Sequence, residues 1–270
     1  MNLKSLCKRI PSIVAVLGFG GTASYGALVA SDNEADAAYS ANWLSGSNGG
    51  TGFNAWALIA TGTAGFFTGD SSLNAGGTSG NINTSGKSWG AFANTGGLAS
   101  AVRTFQTGGP NAASTLAIGQ QFVTSFDNGF INSTGTVGFG LQDSAGGNRF
   151  EFFFAGGAAG YTVSDSAPVT TAHGFTGDGL RATFTLTGTD KYSFGLSYNT
   201  GAPASESFSG TLKGTAGNGI DRFRFFNSNA GTTSNNDAFI NSVAIVPEPG
   251  SMILFSVAAI GLLTARRRKA

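Results

Sequence analysis

Between Ala38 and Val246 the sequence offers few side chains able to do acid–base, nucleophilic or metal chemistry. It holds two glutamates, Glu151 and Glu206, one histidine, His173, and no cysteine. Hydrolysis of a glycosidic bond normally needs two carboxylates flanking it, about 5–5.5 Å apart in retaining enzymes. On a strand such groups would occupy alternate positions, which share a face. No Glu-x-Asp-x-Glu run occurs, and the two glutamates are far apart in sequence. Glu151, within Arg-Phe-Glu-Phe-Phe-Phe, reads as the solvent side of a strand whose phenylalanines are buried. His173, in Thr-Ala-His-Gly-Phe, reads as a solvated loop residue. The serines leave a Ser-His-Asp triad formally open, but no Gly-x-Ser-x-Gly elbow appears in an α/β context.

Metal chemistry is similarly restricted. A zinc site draws on Cys and His, and the body has only His173, since the one cysteine is Cys7. Calcium needs only oxygen ligands and is the single cofactor the composition leaves open. Its candidates are Asp127-Asn128, Asn235-Asn236-Asp237 and Asp221, residue types that also build turns. Sugar binding needs aromatic faces and convergent polar groups. The candidates are Trp43, Trp56 and Trp89, all in the first third beside Asn- and Ser-rich loops, with Tyr161, Tyr192 and Tyr198 in support. The competing role for each tryptophan is core packing.

The elements that must position these residues read as strands. Turn signals recur at strand-length spacing, among them Ser47-Asn48-Gly49-Gly50, Asp127-Asn128-Gly129, Ser144-Ala145-Gly146-Gly147 and Asp178-Gly179. Between them apolar and polar residues alternate. Leu180, Ala182, Phe184 and Leu186 fall on one face, with Arg181, Thr183, Thr185 and Thr187 on the other. Tyr192, Phe194, Leu196 and Tyr198 repeat the pattern, as do Val137, Phe139 and Leu141, and Phe150, Phe152 and Phe154. About a dozen such runs and no 3.6-residue stripe predict an all-β, two-sheet antiparallel sandwich over residues 38–246. The order of runs, with Phe126-Asp127-Asn128-Gly129-Phe130, is similar to the concanavalin A-like and laminin-G-like jelly rolls. Those folds host both lectins and glycosidases, so function has to come from the site.

Composition agrees. Gly (43 residues) and Phe (23) dominate a chain of 270 residues with only 11% charged residues, against about 25% ordinarily. Seven of the 15 basic residues lie at the two ends. The body carries 8 basic and 10 acidic residues and is therefore near −2, which leaves no electrostatic footprint for nucleic acid.

Both ends read as addresses. A basic stretch to Arg9, the apolar run Ile10 to Gly21 and the small residues that follow have the order of a secretory signal peptide. Residues 1–37 therefore divide into that peptide and a mature N-terminal segment. Cleavage is open between Ala35-Asp36-Ala37 and an earlier site near Gly26 to Ala30. At the other end Pro247-Glu248-Pro249 makes an extended joint. It leads into an apolar run, a membrane helix over residues 251–265, then Arg266, Arg267, Arg268 and Lys269. That helix is about 21–24 Å long, short for a ~30 Å hydrocarbon core unless the arginines snorkel. Its basic end would stay cytoplasmic and place the body outside.

The tail, residues 247–270, resembles the PEP-CTERM sorting signal of Gram-negative bacteria, with all three parts in order. Gly250 follows the motif where Ser or Thr is frequent, and Ser251 comes one position later. The resemblance implies Pro247, Glu248 and Pro249 as the sorting determinant and an exosortase, a membrane-embedded Cys-dependent enzyme, as partner. It also implies a host with an extracellular polysaccharide matrix. The sequence therefore predicts an exported, non-enzymatic cell-surface or matrix protein. It would pass the secretion translocon, reside transiently in the inner membrane and bind extracellular polysaccharide. The alternative is a secreted hydrolase with an unfamiliar site.

Overall fold

The computed structural model describes residues 29–73, 82–106 and 114–247. The signal peptide, Glu248, Pro249, the membrane helix and the Arg266–Lys269 cluster lie outside the described residues. Fifteen strands are described: β1 (Ala30–Asp32), β2 (Ala57–Thr61), β3 (Ala64–Gly69), β4 (Ser88–Ala93), β5 (Leu98–Thr104), β6 (Gln121–Asn128), β7 (Thr136–Gln142) and β8 (Asn148–Ala155). They continue as β9 (Thr162–Ser164), β10 (Val169–Thr170), β11 (Leu180–Gly188), β12 (Lys191–Tyr198), β13 (Ser205–Thr211), β14 (Arg222–Ser228) and β15 (Ala238–Val246). One sheet runs β13-β12-β11-β6-β15-β4-β3, and the other runs β10-β9-β8-β7-β14-β5-β2. Neighbours pair antiparallel in both. The all-β sandwich expected from alternation is the fold.

Alternation works because a strand turns successive side chains to opposite faces. Phe150, Phe152 and Phe154 of β8 are buried, as are Phe184 of β11 and Phe194 of β12. Their rings interlock across the sandwich, with Phe150 4.8 Å from Phe194 and 5.0 Å from Phe184 between centroids. Phe122 of β6 stacks on Phe223 of β14 at 4.8 Å. Offset and edge-on pairs of this kind add roughly 0.5–1.5 kcal/mol each beyond area burial.

The sandwich begins earlier than the boundary at residue 38 expected from sequence. β1 pairs with the last strand, Ala30 opposite Ile245 and Asp32 opposite Val243. It continues the line of β4, which pairs with Ala238–Ile240 further along β15. Between the two stretches β15 carries a bulge, where Ser242 takes φ 58°. The buried Asn241 side chain fills that interruption. Its Oδ1 accepts from the Glu34 and Ser242 N–H groups at 3.1 and 2.9 Å. Its Nδ2 donates to Ile82 O and Thr84 Oγ1 at 2.9 and 2.8 Å. One amide thus ties the first segment of the fold to its last strand and to the β3–β4 connection.

An arginine points inward at the same end. Arg103 of β5 stands opposite Phe223 of β14 and is 1% exposed. It ion-pairs with Asp32, whose carboxylate also accepts from the Tyr39 hydroxyl. Its Nε donates to Asn54 O at 2.7 Å, and Nη2 donates to Gly49 O and Asn48 Oδ1 at 2.7 and 2.9 Å. The guanidinium lies 5.0 Å from the Phe53 ring centre and 5.1 Å from that of Trp56. Burial pushes the Asp32 carboxyl up, against the pull of Arg103. Removing one partner of a buried pair leaves a charge that water cannot reach, at a cost of about 3–5 kcal/mol. Asp32→Asn is expected to lower the chemical unfolding free energy of the body by about that amount. An effect within ±0.5 kcal/mol, the size of an ordinary surface change, would show that the pair is dispensable.

Candidate functional site

The three tryptophans form no surface platform, which corrects the sequence expectation. Trp43, Trp56 and Trp89 are 1%, 1% and 0% exposed. They pack on one another, Trp43 against Trp56 at 5.1 Å and Trp56 against Trp89 at 5.4 Å. β4 contributes Trp89, Ala91 and Ala93 to the interior and β5 contributes Ala99 and Ala101. Trp56 Nε1 donates to the Tyr39 hydroxyl at 3.2 Å, so the cluster joins the Arg103 network. Tyr161, Tyr192 and Tyr198 are buried as well.

His173 is not a solvated loop residue either; it is 5% exposed. Its ring stacks on Tyr198 with centroids 3.7 Å apart. Nδ1 lies 2.8 Å from Gly174 O and Nε2 lies 3.0 Å from Thr200 O. Both nitrogens face backbone carbonyls rather than a serine hydroxyl or a carboxylate. Glu206 accepts from the Ala172 N–H (2.8 Å), the His173 N–H (3.1 Å) and the Tyr198 hydroxyl (2.9 Å), so it fastens the loop before β11. Glu151 lies on the other sheet, in an ion pair with Lys213 and accepting from Asn148 Nδ2 at 2.7 Å. The two glutamates thus serve separate structural networks.

Three of the calcium candidates, Asn128, Asn236 and Asp221, are engaged by other protein groups. Asn128 accepts from the Tyr161 hydroxyl at 2.8 Å, and Asn236 donates to Phe130 O at 2.6 Å. Asp221 pairs with Arg222 at 2.9 Å. Asp127 is buried at the end of β6; Asn235 belongs to a short 3₁₀ turn and is exposed. At Asp237, which closes that turn, burial pushes the carboxyl up to about 7. Among the described residues no three His, Cys, Asp or Glu side chains gather as a metal site.

The outward faces of the two sheets differ. On the second, Phe226 is 6% exposed because the Arg224 guanidinium lies 4.8 Å above its ring and is held by Ser100 Oγ at 2.9 Å. The first sheet is open across β11, β12 and β13. Thr183, Gly195 and Ser207 stand in one cross-strand row, and Thr185, Ser193 and Ser209 in the next. A depression of about 250 Å³ lies among Thr183, Thr185, Ser193, Phe194, Gly195, Ser207 and Phe208. Gly195 makes its floor, for a Cβ there would meet nothing within 4 Å. Strand spacing sets neighbouring positions roughly 4.8 Å apart across the sheet and ~6.8 Å apart along a strand, so Thr183 and Ser207, on either side of Gly195, lie about two strand spacings apart. Each hydroxyl can donate and accept, and no charged residue lines the depression. Sequence reading placed Thr183 and Thr185 on the polar face but could not assemble the row, because register between strands is not a local property.

The body is therefore an antiparallel sandwich with one hydroxyl-rich face, whose last strand runs directly into the C-terminal tail. Residues 246–269 match the PEP-CTERM protein-sorting motif. The chain carries that motif, which marks an exported protein. No curated protein matches the chain. Among solved structures it is similar to a sialidase at 10% identity, covering 82% of this chain and 18% of that one, with a TM-score of 0.48. It is similar to a Shewanella oneidensis MR-1 protein of unknown function at 10% identity, covering 72% and 80%, with a TM-score of 0.41. A botulinum neurotoxin serotype D ligand-binding domain in complex with N-acetylneuraminic acid matches at 9% identity, covering 77% and 46%, with a TM-score of 0.40. The chain thus spans less than half of the neurotoxin domain and under a fifth of the sialidase. Identities this low carry no site residue across.

Proposed function

We propose that this is a non-enzymatic surface or matrix protein, sorted by an exosortase-type enzyme, whose body holds neutral extracellular polysaccharide. The observation that carries the binding reading is the uncharged depression over Gly195, lined by Thr183, Thr185, Ser193 and Ser207 together with Phe194 and Phe208. A sugar chain presents hydroxyls that both donate and accept, and this face answers with the same chemistry in a fixed grid. With no exposed ring among the described residues that line the depression, each sugar unit is held weakly. A polymer engaging several such sites gains through effective concentration. The committed roles of Glu151, Glu206 and His173 favour binding without hydrolysis.

Sorting follows from how the tail leaves the body. β15 ends at Val246, and only residues 247–250 separate it from the helix expected over 251–265. Four extended residues span at most ~14 Å, so the processing enzyme works close against the folded domain. Replacing Pro247, Glu248 and Pro249 together by Ala is expected to leave full-length protein in the inner membrane. The check is mass spectrometry of membrane and surface fractions. Residues 252–270 still attached to the wild-type surface protein would mean a permanent anchor instead.

The binding face is tested with Gly195→Val, which fills the depression without a clash and suits a strand. Native affinity gels cast with the host's extracellular polysaccharide or with neutral β-glucan provide the readout. Retardation of the body is expected to fall at least tenfold in Gly195→Val and Thr183→Val. It should persist in the wild type as the Debye length shortens from ~10 Å at 0.1 M salt to ~3 Å at 1 M. Unchanged retardation of both variants would remove this face from the account. Release of sugar from any of these glycans, abolished by Glu151→Gln or Glu206→Gln, would favour the hydrolase reading.

A further inference from the structure

The fold itself discriminates between the two sites at which the signal peptide could be cut. A cut after Ala35-Asp36-Ala37 would start the mature chain at Ala38 and discard everything before it. The residues so discarded are built into the sandwich. The Val29 N–H donates to Ile245 O at 2.9 Å. Ser31 exchanges two backbone hydrogen bonds with Thr51, at 2.9 and 2.8 Å. Ala30 is 0% exposed, and Asp32 is the counter-ion of Arg103.

The receiving side is shaped for them. Gly50 and Gly52 adopt φ +67° and +74°, a left-handed backbone that favours glycine. A Cβ on Gly50 would lie 2.0 Å from Ser31 O, and one on Gly52 would lie 2.5 Å from the Ala30 side chain. The two glycines thus form a cradle in which residues 30 and 31 lie. Asp36 is also occupied, its carboxylate accepting from the Ala38 and Gly50 N–H groups at 2.9 and 3.2 Å. A chain beginning at Ala38 would have an empty cradle, an unpaired strand edge on β15 and a buried guanidinium without its carboxylate.

We infer that the signal peptide is removed on the amino side of Val29, and that Ala35-Asp36-Ala37 is not a processing site. The small-x-small sequence nearest upstream is Ser24-Tyr25-Gly26, which satisfies the usual requirement for small residues flanking one free position and would make Ala27 the first mature residue. This goes beyond the binding reading and rests only on the export that the sorting motif marks. A consequence is that the mature N-terminus and the sorting tail leave the body side by side, on paired strands.

The test is intact-mass analysis and N-terminal sequencing of the wild-type protein recovered from the cell surface of its host. A first residue between Ser24 and Val29 is expected, and any other overturns the inference, Ala38 most directly. Processing of two variants gives a second readout that does not depend on how well the product folds. Gly26→Arg should accumulate precursor, whereas Ala37→Arg should be processed at the wild-type rate. The reverse pattern would overturn the assignment.

Discussion

A guanidinium placed between two sheets needs every one of its N–H groups answered, because burial removes the water that would otherwise do it. Arg103 sits on the inward side of β5, in line with Ala99 and Ala101. Its partners are drawn almost entirely from residues 32–54, which have little regular structure of their own: Asp32, Tyr39, Asn48, Gly49 and Asn54. The cation therefore organises the chain's entry into the fold. Around it gather the Tyr39 hydroxyl, the Trp56 indole and, through ring contacts, Trp43 and Trp89. Once Asp32 is fixed, β1 is aligned on β15, and the Asn241 bulge completes the edge where β1 and β4 meet.

The rest of the molecule follows a simpler rule. Apolar residues at every second position fill the sandwich with phenylalanine, and the intervening positions are left to face outward. On the second sheet those positions include Arg224, which lies over Phe226, and the exposed Ile59. On β11 to β13 they are mostly serine, threonine and glycine, with Arg181 and Lys191 among them. The same alternation that builds the core thus produces a flat hydroxyl grid, interrupted at Gly195. The tail is separate from this economy of faces: its spacer is too short for an independent domain and is attached to the strand that β1 completes.

Much of the sandwich was legible because period-2 patterning is local: β7, β8, β11 and β12 bury the residues their alternation assigns inward. The sorting tail was legible because its three parts are contiguous. The binding face was half visible, with Thr183 and Thr185 on a polar face but Ser193, Gly195 and Ser207 unconnected to them until register joined three strands. The choice between platform and core at the tryptophans was not legible, because exposure depends on what packs against a residue from distant segments, here the other two indoles and Tyr39. His173 misled in the same way, since nothing near it in sequence announces Tyr198 beneath its ring. Residues 29–37 were passed over because a three-residue strand has no periodicity to detect, and its ion-pair partner lies 71 positions away.

The central claim is that the first segment is part of the cooperative fold and not an appended leader remnant. Native-state hydrogen exchange measures this residue by residue, since amides that open only with the whole domain share its unfolding free energy. The amides of Ser31, Gly49 and Thr51 should exchange with the same opening free energy as those of Ile240 and Val243 in β15. Exchange of Ser31, Gly49 and Thr51 at the rate of an unfolded peptide, while β15 stays protected, would contradict the account.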